Sequence, residues 1–144
     1  MTRILLDANI LISYLLNPHA DRPVTQVVQA GVLGTYTLLL PEAFLEEMST
    51  KIAEKRYLAE RIDQADAEQL SAILRRVGET IAAIDDPIPA VTRDPKDDYL
   101  LAYAVIGLAD YLLTGDEDLL VLRQVQGVVI CSPREFVERL LPKR

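Results

Sequence analysis

Residues 93–104, Arg-Asp-Pro-Lys-Asp-Asp-Tyr-Leu-Leu-Ala-Tyr-Ala, and residues 109–120, Ala-Asp-Tyr-Leu-Leu-Thr-Gly-Asp-Glu-Asp-Leu-Leu, decide the fold. The first stretch reads as a helix. Asp94 is suited to the N-cap and Pro95 to the first helical position. Leu100, Leu101, Ala104, Val105 and Leu108 then recur as an apolar stripe. The second stretch opens with a strand over Tyr111–Leu113. It is stopped by Thr114-Gly115-Asp116 and followed by a short helix over Leu119–Leu122.

The same alternation extends in both directions. Toward the N-terminus, Arg3–Leu6 is an apolar run ending at Asp7, and a helix pattern follows from Ile10 to Leu16. A second helix spans Pro23–Ala30, and a strand spans Tyr36–Leu40. Pro41 is placed to open a helix that carries Phe44, Leu45, Met48 and Ile52 on one face. Asp66–Val77 is amphipathic, with Leu70, Ile73, Leu74 and Val77 as its stripe, and Thr80–Ile84 is β-prone. Toward the C-terminus, Val128–Ile130 is a strand. Ser132-Pro133 caps a last helix bearing Phe136, Val137, Leu140 and Leu141. The strands are continuous apolar runs, as expected when both faces of a sheet are covered. The pattern predicts a single α/β domain over residues 1–144, with a parallel sheet between layers of helices.

Composition narrows the function classes. A chain of 144 residues, half hydrophobic and 26% charged, can build a core without disulfides, and Cys131 is its only cysteine. No apolar run approaches the ~20 residues needed to span a bilayer. One Arg precedes the first apolar run, which Asp7 and Asn9 interrupt, and no small-residue cleavage site follows. The expectation is therefore no signal peptide and a cytoplasmic protein without membrane association. A formal net charge of −7 argues against broad nucleic-acid binding through a basic surface. Lys51, Lys55, Arg56, Arg61, Arg75 and Arg76 form either a local phosphate patch or solvated helix faces.

Ligands of open α/β sheets bind beyond the carboxyl ends of the strands. Asp7 and Asp116 follow strands, Asp97 and Asp98 lie in a first helical turn, and Glu46 and Glu47 begin the helix after the second strand. Each has a structural reading by itself: a cap, a partner for the helix dipole, a solvated charge, a turn. Together they place acids from four segments at one sheet edge. Carboxylates so crowded repel one another unless a cation neutralises them. Hard oxygen donors suit Mg²⁺ or Mn²⁺. Asn9, Ser13 and Thr114 are polar neighbours suited to orienting the acids. His19 is the sole histidine and lies beside Pro18, which disfavours histidine-based cleavage.

Taken in order, Ile-Leu-Leu-Asp-Ala-Asn (4–9), Phe-Leu-Glu-Glu-Met (44–48) and the two stretches quoted first resemble the PIN-domain family, in particular its toxin–antitoxin toxins of the VapC type. The resemblance covers essentially the whole chain. It implies a three-layer α/β sandwich with a five-stranded parallel sheet of order 3-2-1-4-5. It also implies Mg²⁺- or Mn²⁺-dependent endoribonuclease activity, RNA as substrate, a cognate antitoxin and a homodimer. Asp7, Glu47, Asp97 and Asp116 match the family's four acids as the catalytic set, with Asp7, Asp97 and Asp116 as metal ligands. Asp118 matches an auxiliary acid.

Glu46 competes with Glu47, and Asp98 with Asp97. Met48 favours Glu47, and the offsets to Leu101, Ala104 and Leu108 favour Asp97. Gly115 stands where many toxins carry arginine, which would remove a phosphate contact. Two other readings remain: a catalytically silent PIN scaffold that binds RNA or a partner, and a phosphatase of the haloacid dehalogenase type. The phosphatase reading needs an acid where Asn9 stands.

Overall fold

A computed structural model describes residues 1–140. The elements run β1 (Arg3–Leu6), α1 (Ala8–Leu16), α2 (Pro23–Val32), β2 (Thr37–Pro41), α3 (Glu42–Glu54), α4 (Arg56–Arg61), α5 (Gln64–Val77), β3 (Glu79–Ile81), α6 (Pro95–Ile106), β4 (Tyr111–Leu113), α7 (Glu117–Leu120), β5 (Gln124–Val125), β6 (Val128–Cys131) and α8 (Pro133–Arg139). The sheet order is β3-β2-β1-β4-β6-β5. The first five strands in that order pair in parallel. They reproduce the expected order once β6 is counted as the fifth strand.

The sheet has six strands among the described residues, not five. The addition, β5, is antiparallel to β6 and joined to it through Gln126 and Gly127. Both have positive φ, 46° and 85°, as a two-residue type I′ hairpin turn requires.

Side chains alternate across the sheet and build two cores. Ile4, Leu6, Leu38, Leu40 and Leu113 face one cluster together with residues of α1, α2, α3, α5 and α8. Leu5, Leu39 and Leu112 face the other, against Leu100, Leu101, Tyr103 and Ala104 of α6 and Leu119 of α7. Both faces of the central strands are therefore dry, which accounts for their unbroken apolar sequences. Phe44, Leu45, Met48 and Ile52 are all buried, but Phe44 joins the second cluster and the others the first.

Several boundaries differ from expectation. Pro41 closes β2 and caps α3 instead of entering its first turn. The six-residue α4, with only Leu58 buried, is too short to show a period. Val77 is exposed, while Ala67 and Ser71 join the buried face of α5. Leu108 leaves the α6 stripe: the helix ends at Ile106, and Leu108 takes φ 55° with its side chain 75% exposed. Leu140 follows α8 as its exposed C-cap, and Leu141 lies outside the described residues. Among the described residues, no helix is long and apolar enough to cross a membrane.

The central strand β1 pairs with β2 on one side and β4 on the other. The chain thus reverses its direction of travel across the sheet between β1 and β4. A crevice opens at such a switch point, beyond the strands' carboxyl ends.

Candidate active site

Register brings the two strand-end acids together. Leu6 pairs with Leu113, and the Asp7 backbone N–H donates to the Leu113 carbonyl at 3.0 Å. Asp7 caps α1 by accepting from the Asn9 backbone N–H at 3.1 Å through Oδ1. Its Oδ2 accepts from the Thr114 hydroxyl at 2.9 Å. The same hydroxyl oxygen accepts from the Asp116 backbone N–H at 3.1 Å. Thr114 is wholly buried, so one side chain ties the acid after β1 to the loop carrying the acid after β4. Asp116 in turn caps α7, accepting from the Asp118 backbone N–H at 3.0 Å.

Asp97 enters from α6. Asp94 caps that helix by accepting from the Lys96 N–H, and Pro95 occupies the first helical position. Asp97 follows on the inner face and is only 8% exposed. Burial raises its pKa, and the negative charges of Asp116, Asp94, Asp7 and Asp118 raise it further, to about 6 against an ordinary 3.8. The Asp97 carboxylate therefore sits in a field that opposes its own charge.

Glu47 approaches from α3. Lys51, one turn on, lies 3.6 Å from its Oε1 and donates to the Asn9 Oδ1 at 3.2 Å. Asp7, Asn9, Glu47, Asp97 and Asp116 line one cleft of about 410 Å³. The other expected residues stand elsewhere. Glu46 is exposed and outside the cleft lining. Ser13 lies outside it too, one turn beyond Asn9, its hydroxyl accepting from Arg22 at 3.4 Å. The exposed Asp118 carboxylate is turned toward Arg93 at 4.0 Å.

Asp98 accepts from the backbone N–H groups of Val91 and Thr92 at 2.9 and 2.7 Å. Burial acts to raise its pKa, but these bonds outweigh it and hold the carboxyl below its usual range. The two adjacent acids therefore have opposite environments: Asp98 fastens the loop before α6, whereas Asp97 faces the cleft. Asp98→Asn should lower the melting temperature by several degrees and leave metal affinity unchanged. Calorimetric titration with Mn²⁺ beside a thermal melt checks this, and a collapse of metal affinity would return Asp98 to the site.

Of the rest of the cleft, only Lys51 had been singled out, as one of six basic residues forming either a phosphate patch or solvated helix faces. Asp94, Lys96, Tyr99, Leu100 and Tyr103 line one side from α6, and Ala43, Phe44 and Lys51 the other from α3. Lys96, Tyr99 and Tyr103 stand at offsets of three and seven, the spacing of one helix face. That spacing was available in the sequence.

Among the described residues, no three His, Cys, Asp or Glu side chains form a ready metal cage. The donors are nevertheless all hard carboxylate oxygens, and burial together with their mutual repulsion raises the Asp97 pKa. Such a set fits an ion that keeps part of its water, as Mg²⁺ does when held by one or two carboxylates.

With fold and site in place, the comparisons agree. The PIN domain family matches residues 3–118, and the chain belongs to that family. Among curated proteins no sequence matches. One similar solved structure is the crystal structure of VapBC2 from Rickettsia felis bound to a DNA fragment from its promoter. The match has a TM-score of 0.57 and 13% identity, and covers 90% of this chain and 97% of that one. This likeness is one of fold. Membership of the PIN family supersedes the haloacid dehalogenase reading, whose second acid Asn9 already lacked.

Proposed function

We propose that this chain is a metal-dependent endoribonuclease and the toxin of a toxin–antitoxin pair. The observation that carries the reading is the cleft at the β1/β4 switch point, lined by Asp7, Glu47, Asp97 and Asp116 from four segments. Asp7, Asp97 and Asp116 would hold Mg²⁺ or Mn²⁺, directly or through water. A bound ion would supply positive charge against phosphodiester oxygens and acidify nearby water. Glu47 orients the attacking water and accepts its proton as the water oxygen bonds to phosphorus and the leaving ribose oxygen departs. Lys51 holds Glu47 and Asn9 in place across the cleft mouth. Thr114 fixes Asp7 relative to Asp116.

The toxin reading draws on the family and on the occurrence of this fold in the VapBC2 assembly. An antitoxin, a second copy of the chain and a cytoplasmic setting belong to the same proposal. Light scattering should report a dimer; a monomer at high concentration would remove that element.

The deciding experiment incubates purified protein with structured and single-stranded RNAs under Mn²⁺, Mg²⁺ or chelator, beside Asp7→Asn. Cleavage with metal, lost in chelator and in a folded variant, supports the nuclease. Full activity in Asp7→Asn refutes the site. A folded protein that cleaves nothing and binds no Mn²⁺ by calorimetry is the silent scaffold.

A further inference from the structure

The α6 wall of the cleft, which carries Asp97, is also aromatic. Tyr99 is 48% exposed there, on the same helix as Asp97 and two residues beyond it. Tyr103 lies behind it, one turn on and buried, with ring centroids 6.3 Å apart and the planes tilted by 33°. Phe44 meets Tyr103 edge-on at 5.6 Å and 81°. The inner ring is therefore locked by packing, and the outer ring is backed by it. Tyr57 is also exposed, but the Arg61 guanidinium covers its ring at 3.8 Å. Among the described residues, no such cation stands over Tyr99.

We infer that Tyr99 is a stacking platform for an unpaired nucleobase next to the phosphate held at the acids. The inference rests on the nuclease reading and adds a specificity-determining subsite to it. Charge favours such a platform. The chain carries a net charge of −7, and one of the two lysines lining the cleft, Lys51, is already engaged by Glu47 and Asn9. Basic side chains in the cleft therefore add little phosphate affinity to what a bound ion would supply. Stacking on an aromatic ring is independent of charge and tolerates every base. A paired base within a helix has its faces covered by its neighbours, so the ring selects splayed or single-stranded nucleotides.

The test uses full-length protein carrying Glu47→Gln, which leaves the three metal-holding acids in place, with Mn²⁺ present, and short single-stranded RNAs with or without one abasic position. Anisotropy measures binding. Replacing Tyr99 by Ala should weaken the intact strand by about 5- to 150-fold, the range set by one stacked base. Tyr99→Phe should restore binding, because the ring and not the hydroxyl carries it. Tyr57→Ala is the surface control and should change nothing. The abasic strand should bind the parent as weakly as the intact strand binds Tyr99→Ala.

Equal binding of intact and abasic strands, or of parent and Tyr99→Ala, overturns the platform and leaves the ring to a protein partner. The two readings fail separately. Metal-dependent cleavage by the unmutated protein that is indifferent to Tyr99 removes the platform alone. Tyr99-dependent binding without any cleavage removes the nuclease alone.

Discussion

Under the proposed function, Asp97→Asn should abolish RNA cleavage while making the metal-free protein more stable. The two effects share one cause. The carboxylate is buried among Asp116, Asp94, Asp7 and Asp118, and its pKa is raised from 3.8 to about 6. An acid with a raised folded-state pKa holds its proton more tightly when folded than when unfolded. Its contribution therefore stabilises the fold as pH drops from about 6 toward 4 and is lost as pH rises through about 6. At pH 7 the ionised side chain costs about 1–3 kcal/mol, since each pKa unit is worth about 1.4 kcal/mol. Asparagine removes that cost with little change of shape.

The melting temperature of Asp97→Asn at pH 7 in chelator should exceed that of the parent by about 3–8 °C, and the gap should close near pH 4. Added Mn²⁺ should reverse the order, since only the parent gains stability from binding it. Cleavage should fall by orders of magnitude. Thermal melts across pH and metal, run beside the cleavage assay, check all three. A variant no more stable than the parent in chelator at pH 7 would mean that neither burial nor the neighbouring acids disfavour the ionised Asp97. Unimpaired cleavage would take Asp97 out of the site.

The features legible in the sequence were those that repeat locally. Ile4–Leu6, Leu38–Leu40 and Tyr111–Leu113 announce themselves as apolar runs because helices cover both sheet faces. Asp7 and Asp116 could be placed because a strand's end in a parallel sheet fixes its position in space. What stayed hidden depends on where an element stops or what it meets. The strand β5 is two residues long and cannot show a period. Its only sign was Gln126-Gly127, with glutamine where hairpins favour asparagine or aspartate.

Leu108 fits the α6 period but follows Gly107, the helix's C-cap, so periodicity overran the helix end. Its offset had helped to prefer Asp97 over Asp98. The structure separates those two acids on other grounds, because Val91 and Thr92 claim Asp98 through a loop with no local code. Likewise, Tyr99 carries no sign of a site, and Lys51 stays between phosphate patch and solvated face, until α3 and α6 face each other across the cleft.

Thr114→Val should lower Mn²⁺ affinity by about 10- to 100-fold, the usual cost of losing a residue that orients a metal ligand. Valine matches threonine in shape, so the wholly buried position stays filled and only the hydroxyl is lost. Two bonds go with it: the one donated to Asp7 Oδ2 and the one accepted from the Asp116 N–H. Asp7 keeps its helix-capping bond to Asn9 and Asp116 its bond to Asp118, so both acids remain but lose their common reference. A fold-stability loss of about 1–3 kcal/mol accompanies the change, as expected for polar groups left unpaired on partial burial.

Thr114→Ser separates geometry from packing. It keeps the hydroxyl and loses a methyl, so it should retain metal affinity while losing comparable stability. Calorimetric titration and thermal melts on the three proteins give the answer. If valine and serine lower stability alike and neither alters Mn²⁺ affinity, Thr114 only closes the end of β4. If valine alone loses the metal, the hydroxyl sets the spacing between the acids of β1 and β4, and the site is organised by the sheet register itself.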